Sequence, residues 1–429
     1  MTYQQALDYL FSQLPMFSRT GAPAYKPGLD TSIQLAAQFG NPHKRFKSIH
    51  VGGTNGKGST SHLIASVLQS QGYKVGLYTS PHLVDFRERM RINGQMIPQE
   101  KVTEFVEDWK NSGHEGHPSF FELTMIMAFK WFAEENVDYG VIEVGMGGRL
   151  DSTNIITPLL SVITNISQDH NQFLGDTLEK IAGEKAGIIK KGVPVVIGET
   201  QEESAPVFRS KAQETGAPIV FADQSEELPE ITGSDEGWNI EWKNQRFTLP
   251  LGGDYQKKNI ATALAAIEEL RKTGIEIGDK AVKEGVENVA LQTGLAGRWM
   301  ILKDTPLTIA DTGHNIAGIT YNFNQLQKLM AERPEGELRV VIGFVADKAI
   351  DKILGILPRE AVYYVTNAAI PRALPAEKLM EKFKESGLGG RTFTTVSEAY
   401  KTAQKEASDK DIVFIGGSTF VVADLLASL

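Results

Sequence analysis

Short apolar segments alternate with amphipathic segments along most of the chain. Val- and Ile-rich runs at residues 46–53, 137–145 and 159–167 have the length and composition of buried strands. The residues between them, such as 58–71 and 120–135, carry apolar side chains at the spacing of a helix with one buried face. Strands that alternate with helices predict a parallel sheet covered on both faces.

The same pattern predicts further elements in the first part of the chain. The first 14 residues predict an amphipathic helix, and the Pro- and Gly-containing segment 20–34 predicts a mobile loop. Two more strands are predicted at 74–80 and 193–198, a helix at 177–191, a hairpin turning at Lys243-Asn244, and helices at 255–272 and 279–289.

A second strand-and-helix rhythm begins near residue 300. Its predicted strands are 307–311, 339–344, 361–366 and 412–417. We therefore expect two domains, 1–292 and 300–429, joined by a linker at 293–299. The second domain is expected to be a smaller Rossmann-like α/β domain.

Composition and charge narrow the class of protein. Hydrophobic residues make up 41% and charged residues 23% of the 429, which is typical of a soluble globular protein. A formal net charge of -9 argues against a nucleic-acid partner, because phosphates would repel it. No apolar stretch approaches the roughly 20 residues that a membrane span requires, so a cytoplasmic location without a membrane partner is expected. The absence of cysteine excludes disulfides and thiolate chemistry.

A glycine-rich loop follows the first predicted strand and precedes a helix. Glycines allow backbone N–H groups to approach a phosphate, and the helix N-terminus adds its positive dipole end. The loop departs from the strict phosphate-loop pattern, because Gly58 separates Lys57 from Ser59. The context favours ATP binding over a glycine turn without a ligand and predicts a P-loop NTPase-like parallel-sheet first domain. The residues of this predicted loop are Gly53, Thr54, Asn55, Gly56, Lys57, Gly58 and Ser59.

Oxygen-bearing and imidazole side chains follow three other strands of the predicted sheet. Ser80 and Glu143 stand at the ends of apolar strands, and His170 comes shortly after a third. The carboxyl ends of parallel strands form the ligand-binding edge of an open α/β sheet. Mg²⁺ prefers oxygen ligands and keeps several waters, so few protein ligands are needed. Taken singly, Glu143 could be a solvated acid and His170 a loop histidine.

The loop G-T-N-G-K-G-S at 53–59 resembles the ATP loop of folylpolyglutamate synthases and dihydrofolate synthases, within the Mur ligase superfamily. The resemblance continues from about residue 20 to 425. It implies Mg²⁺ at Ser80, Glu143 and His170, and a nucleotide contact at Asn259. It also implies catalytic roles for Lys57, His170 and Lys185, the last through carbamylation, although a solvated helical lysine is the alternative for Lys185.

The resemblance extends to the second domain, with two departures. It implies that Arg298 reaches the γ-phosphate and that Asp311 meets the nucleotide. Asp311-Thr312-Gly313-His314-Asn315 stands where the family pattern reads D-G-A-H-N, and Met300 replaces an acid that usually follows the arginine. The further implied substrate-binding residues are Arg89 on the folate side and His314 and Ser418 on the glutamate side. The alternatives are a solvated surface arginine for Arg89 and a histidine with a structural hydrogen bond for His314.

These features predict an ATP-dependent acid–amino-acid ligase. ATP converts a carboxylate to an acyl phosphate, which an amine then attacks to form an amide. The resemblance implies a folate or dihydropteroate and L-glutamate as substrates, ATP and Mg²⁺ as cofactors, and we expect a monomer. The alternatives are a P-loop kinase or ATPase, a catalytically silent nucleotide-binding regulator, and a Mur-type ligase of cell-wall synthesis.

Overall fold

The computed structural model describes residues 1–16, 28–113, 117–234, 237–346 and 350–429. The chain forms two compact units. The first contains residues 1–232, 239–250 and 256–295, and the second contains 233–238, 251–255 and 296–429. Within the described ranges, no helix combines the length and apolar composition that a membrane crossing requires.

The first unit contains an eight-stranded sheet and most of a small three-stranded sheet. The strands up to residue 249 are β1 Lys47–Gly52, β2 Val75–Tyr78, β3 Met90–Ile92, β4 Gln95–Met96, β5 Tyr139–Glu143, β6 Leu160–Ile163, β7 Val195–Ile197, β8 Ile219–Phe221, β9 Glu230–Ser234, β10 Gly237–Trp242 and β11 Gln245–Leu249. The α-helices up to residue 293 are α1 Tyr3–Gln13, α2 Asp30–Gln38, α3 Lys57–Ser70, α4 Gln99–Asn111, α5 Phe120–Glu134, α6 Asn171–Leu174, α7 Leu178–Ala186, α8 Ala205–Thr215, α9 Gln256–Lys272, α10 Asp279–Glu287 and α11 Val289–Thr293.

The large sheet has the strand order β4-β3-β2-β5-β1-β6-β7-β8. From β2 to β8 all neighbours are parallel, with Val51 of β1 opposite Glu143 of β5. All five residues of β5 are buried, as expected for a strand covered on both faces. The carboxyl ends of β2, β5, β1 and β6 therefore meet at one edge of the sheet.

The second unit contains a six-stranded sheet. Its elements are β12 Met300–Asp304, β13 Leu307–Ala310, α12 Ile316–Ala331, β14 Leu338–Ile342, α13 Ile350–Leu354, β15 Val362–Val365, α14 Ala376–Glu385, β16 Arg391–Thr392, α15 Val396–Glu406, β17 Ile412–Gly416 and α16 Thr419–Ser428. The strand order is β12-β13-β17-β14-β15-β16, and only β12 is antiparallel to its neighbour.

Alternate residues of β13 and its neighbours belong to two different apolar clusters. Ile309 and Phe414 lie in one, whereas Ala310 and Ile415 lie in the other. Because successive side chains of a strand point to opposite faces, both faces of this sheet are covered. The expected class, α/β with a Rossmann-like second domain, agrees with this architecture.

Several predicted elements are corrected by the structure. The helix predicted at 177–191 ends at Ala186, where the Glu184 carbonyl accepts a hydrogen bond from the Arg149 N–H at 2.7 Å and the Ile188 N–H donates to the Lys185 carbonyl instead. Residues 30–38 form α2, not the predicted loop, whereas residues 17–27 lie outside the described ranges. The short antiparallel edges β3–β4 and β12 were not predicted.

The predicted linker at 293–299 overlaps both units at its ends. Thr293 is the last residue of α11, and its hydroxyl lies 2.7 Å from His62 Nδ1 within the first unit. Trp299 is 2% exposed and belongs to an apolar cluster of the second unit. The chain passes from the first unit to the second for the last time between Leu295 and Ala296.

Candidate active site

The glycine-rich loop between β1 and α3 is held closely against its surroundings. Gly53 has φ 132° and Gly56 has φ 82°, in the left-handed region that disfavours side chains. A Cβ at Gly53 would lie 1.9 Å from Thr164 Oγ1, and one at Gly56 would lie 2.2 Å from Asn259 Oδ1. Glycine is therefore required at both positions by backbone conformation and by space.

The segment that follows β6 anchors this loop. Asn165 accepts hydrogen bonds from the N–H of Thr54 through its backbone carbonyl (2.8 Å) and from the N–H of Asn55 through Oδ1 (3.1 Å). Ser167 N–H donates to Thr54 Oγ1 at 3.0 Å, and Asn55 Nδ2 donates to Ser167 Oγ at 3.1 Å. The conformation of the phosphate loop is thus fixed by backbone and side-chain groups of the segment that follows β6.

Two lysines lie at the loop without a carboxylate partner among the described residues. Lys57, the first residue of α3, donates from Nζ to the Thr54 carbonyl at 3.1 Å. Lys185, on α7 and 4% exposed, donates from Nζ to the Gly53 carbonyl at 2.9 Å. Backbone carbonyls do not neutralise an ammonium group, so this part of the loop favours anions such as phosphates.

The pKa of Lys185 is unusual for a lysine. Burial, reinforced by the nearby Lys57 cation, lowers its pKa from 10.5 to about 7, while Asp169 and Asp151 oppose the shift. About half of the amine is then neutral at pH 7, against roughly 3 in 10,000 for an ordinary lysine. A neutral amine is the form that reacts with carbon dioxide, so the environment suits the carbamylation implied for Lys185.

The N-terminus of α9 meets the phosphate loop. Asn259 lies against Gly56, and its Nδ2 donates to Gln256 Oε1 at 2.8 Å. Gln256 Nε2 in turn donates to Ser59 Oγ at 3.3 Å. Asn259 is thereby placed beside the loop, as a nucleotide contact requires.

Glu143 provides a buried carboxylate one strand away from the loop. It is 3% exposed, and its Oε2 accepts a hydrogen bond from the Ser80 N–H at 2.9 Å. Ser80 follows β2, the strand that pairs with β5 on the side away from β1. A carboxylate with a hydroxyl residue beside it, next to a phosphate loop, fits Mg²⁺, which keeps several of its waters. Within the described ranges, no group of three His or acidic residues forms a complete metal cage.

His170 stands in the loop after β6, at the same sheet edge and two strands from Glu143. Its φ of 51° lies in the left-handed region, which is uncommon for a residue other than glycine. Its N–H donates to Asp169 Oδ1 at 2.9 Å, and its Nε2 lies 3.9 Å from the same oxygen. His170 and Asp169 therefore lie together at the sheet edge where a metal or phosphate would bind.

Arg89 is a buried cation near the end of β2. It is 6% exposed, and its Nε donates to His82 Nδ1 at 2.8 Å. Its guanidinium carbon lies 5.2 Å from the centre of the Phe120 ring, and Phe11 and Phe86 also flank that ring. Burial beside this cation lowers the pKa of His82 to about 3, so His82 is the neutral acceptor. The three phenylalanine rings and the buried guanidinium together suit the binding of an aromatic, anionic substrate.

In the second unit, Asp311 organises the turn after β13. Its Oδ1 accepts from Gly313 N–H at 2.7 Å and from Asn322 Nδ2 at 2.8 Å. Its Oδ2 accepts from Trp299 N–H at 2.8 Å and from the Tyr255 hydroxyl at 2.5 Å. These four donors use the roughly four lone-pair sites of a carboxylate. The nucleotide contact expected of Asp311 stays a prediction.

Arg298 immediately precedes Trp299 and is half-buried. Its Nη1 donates to the Thr312 hydroxyl and, at 3.2 Å, to the Gly297 carbonyl. Among the described residues no carboxylate lies within ion-pair distance of its guanidinium. Like Lys57, Arg298 therefore carries a positive charge that an anionic ligand can engage.

His314 and Ser418 follow two neighbouring parallel strands. Ala310 of β13 pairs with Ile415 of β17, so the loops that carry the two residues begin side by side. His314 Nδ1 lies 3.0 Å from the Thr312 carbonyl, and Ser418 caps α16 by accepting from the Phe420 N–H at 3.2 Å. The shared sheet edge expected for these residues is present in the structure.

The sequence did not indicate some of the residues that shape these sites. Thr164 and Asn165 could have been predicted, because they are polar residues at the end of an apolar strand. The same signal indicated Glu143. Tyr255 and Asn322, by contrast, contact Asp311 from distant parts of the sequence. No local pattern indicates them.

Comparison with protein families matches both parts of the chain. Residues 51–267 match the Mur ligase middle domain, and residues 297–419 match the Mur ligase glutamate ligase domain. Together with the phosphate loop and the sheet-edge carboxylate, these matches define an ATP-dependent ligase of the Mur ligase superfamily.

Relatives specify the family within that class. The chain is 34% identical to the dihydrofolate synthase/folylpolyglutamate synthase of Bacillus subtilis (strain 168), over 99% of this chain and 98% of that protein. It is similar to the structure of E. coli FolC in complex with DHPP and ADP, with a TM-score of 0.84 and 31% identity over 100% of this chain and 97% of that one. It is also similar to the structure of a bifunctional folylpolyglutamate synthase/dihydrofolate synthase with Mn, AMPPNP and L-glutamate bound. The TM-score is 0.83 and the identity 30%, over 100% of this chain and 98% of that one. The chain belongs to the dihydrofolate synthase/folylpolyglutamate synthase family.

The family membership confirms the predicted fold class and the prediction of an ATP-dependent ligase that uses a divalent metal. It favours this interpretation over a kinase, a simple ATPase or a cell-wall ligase.

Proposed function

We propose that the protein activates the carboxylate of a folate or a dihydropteroate as an acyl phosphate and couples it to L-glutamate, releasing ADP and phosphate. The observation that carries the proposal is the phosphate loop at 53–59 with the buried carboxylate of Glu143 one strand away. The names and bound ligands of the relatives support the choice of substrates.

The residues of the loop would bind and orient ATP. The N–H groups of Thr54 and Asn55 bond Asn165, so the N–H groups from Gly56 onward, at the N-terminus of α3, would hold the phosphates, and Lys57 offsets their negative charge. Asn259, beside Gly56, contacts the nucleotide, and Asp311 is proposed on the nucleotide side as well. The Arg298 guanidinium stabilises the charge that develops on the γ-phosphoryl group.

Ser80, Glu143 and His170 would hold Mg²⁺, with Lys185 as a further ligand once it is carbamylated. When bound, the metal supplies charge neutralisation for phosphoryl transfer. Carbamylation turns the Lys185 cation into an anion, which would relieve the repulsion between Lys185 and Lys57.

Arg89 and the aromatic side chains around it would bind the folate side, and His314 and Ser418 the glutamate side. The carboxylate oxygen of the folate attacks the γ-phosphorus, and ADP leaves. The neutral amine of glutamate then attacks the acyl carbon, the C–O bond to phosphate breaks, and the nitrogen gives up a proton to the departing phosphate, which leaves an amide. This assignment gives each of the two substrates a separate set of polar side chains.

Dependence on both substrates tests the proposal. Purified protein with ATP and Mg²⁺ is expected to release ADP rapidly only when both L-glutamate and either dihydropteroate or tetrahydrofolate are present. Comparing the two acceptors decides between dihydrofolate synthase activity, folylpolyglutamate synthase activity and both. ADP release that is indifferent to glutamate would contradict the proposal. The expected monomeric state stays a prediction that light scattering tests.

A further inference from the structure

Arg298 depends on one side chain for its orientation. Among the described residues, the only side-chain group that accepts a hydrogen bond from its guanidinium is the Thr312 hydroxyl. Thr312 is 4% exposed, so no water competes freely for this contact. An arginine in such a turn is otherwise free to populate many rotamers, since its side chain has about 2 kcal/mol of rotamer entropy.

The hydrogen-bond direction at Thr312 is set by its second partner. The Thr312 hydroxyl donates to the Gly297 carbonyl at 3.0 Å, and the Thr312 N–H donates to the same carbonyl at 3.1 Å. A threonine hydroxyl has one proton and two lone pairs. Because the proton is committed to Gly297, the lone pairs are what the hydroxyl presents to Arg298.

The backbone around Arg298 is held as firmly as its side chain. Gly297 has φ 71° and Trp299 has φ 43°, so a left-handed residue stands on each side of the arginine. This conformation is costly for a residue as bulky as tryptophan. The buried Trp299 ring and the hydrogen bond from its N–H to Asp311 Oδ2 hold it there.

We propose that Thr312 is a positioning residue for catalysis, which holds the Arg298 guanidinium in the orientation that stabilises the transferring phosphoryl group. The inference rests on the proposed role of Arg298. It gives a function to Thr312, a departure from the family pattern noted in the sequence. Preorganised cations of this kind act mainly on the transition state, so the effect belongs to kcat more than to KM.

Substitution of Thr312 by valine and by serine tests the proposal. Valine keeps the shape and removes the hydroxyl, whereas serine keeps the hydroxyl. We expect Thr312→Val to lower kcat by roughly 10- to 100-fold, with the KM for ATP changed less, and Thr312→Ser to stay within about threefold of wild type. The matched control is Thr308→Val, because Thr308 is a buried threonine of the same unit whose hydroxyl bonds Pro306 and Gln404.

The Arg298→Ala background separates positioning from a structural effect. If Thr312 acts through Arg298, then Thr312→Val adds no further loss of kcat to Arg298→Ala. Equal losses in Thr312→Val and Thr308→Val, or additive losses with Arg298→Ala, would overturn the proposal. A kcat for Thr312→Val within twofold of wild type while Arg298→Ala is strongly impaired would also overturn it. If Arg298→Ala itself is fully active, the proposed role of Arg298 is wrong, and the positioning role of Thr312 is overturned with it.

Discussion

Replacing Gly56 by alanine is expected to damage ATP binding through a specific collision. The new Cβ would lie 2.2 Å from Asn259 Oδ1, whereas ordinary contacts begin near 3.4 Å, so one of the two groups has to move by more than 1 Å. Asn259 is the movable group, and its displacement also disturbs its hydrogen bond to Gln256. The alanine meets a further cost of about 1–2 kcal/mol because φ is 82°.

Gly72→Ala is the matched control for Gly56→Ala. Gly72 has φ 99° and no atom within 4 Å of a built Cβ, so alanine there meets the backbone cost without the collision. Both variants are expected to lose thermal stability, but only Gly56→Ala is expected to raise the dissociation constant for ATP, by about tenfold or more, or about 1.4 kcal/mol.

Isothermal titration with ATP, combined with Asn259→Ala, decides the cause. If the collision is responsible, Gly56→Ala has little further effect in the Asn259→Ala background. Equal ATP affinity in Gly56→Ala and Gly72→Ala would refute the reasoning, because the close approach of Asn259 to the loop would then have no consequence for the ligand.

Three further predictions follow from the buried groups. Glu143→Gln is expected to raise the Mg²⁺ concentration for half-maximal activity at least about tenfold, and a titration no different from that of the exposed control Glu179→Gln would remove Glu143 from the metal site. Since the pKa of Lys185 is about 7, its neutral fraction rises from about 9% at pH 6 to about 50% at pH 7, so the rate of activation at a fixed concentration of dissolved carbon dioxide is expected to rise about fivefold, and equal rates at the two pH values would argue against carbamylation. Burial lowers the pKa of His50 from 6.5 to about 3. Between pH 6.5 and 3 the His50 side chain is therefore protonated in the unfolded chain but not in the native state. The free energy of unfolding falls as pH drops through this range, by up to about 1.4 kcal/mol per pH unit. Urea unfolding at pH 6.5 and 5 measures this loss of unfolding free energy. The loss should be smaller in His50→Gln, and an equal loss in that variant would contradict the prediction.

The fold was largely predictable because its hydrophobic pattern is local. The hairpin is an example: Lys243 and Asn244 have φ 49° and 61°, the left-handed pair that a two-residue turn requires, and the turn was predicted there. The early end of α7 was missed because the Glu184 carbonyl bonds the Arg149 N–H there instead of continuing the helix. That contact joins residues far apart in the sequence.

In the candidate site, too, the features set by local sequence could be predicted, and those set by contacts between distant residues could not. Lys57, Ser80 and Glu143 follow apolar strands and could be predicted from the edge of the sheet. The pKa of Lys185 could not, since its cause is burial beside Lys57 after the chain has folded. The contact of Thr312 with Arg298 joins residues 14 positions apart, and the left-handed conformation of the adjacent Trp299 has no signal in the sequence.

Oxygen transfer from the substrate carboxylate to phosphate tests the central claim most directly. The enzyme is incubated with ATP, Mg²⁺, L-glutamate and a folate or dihydropteroate whose reacting carboxylate carries ¹⁸O, and the released phosphate is examined by mass spectrometry. An acyl phosphate places one carboxylate oxygen on the phosphate, so each phosphate is expected to carry one ¹⁸O in step with amide formation. Phosphate without label would show that water or another group accepts the phosphoryl group, and would contradict the account.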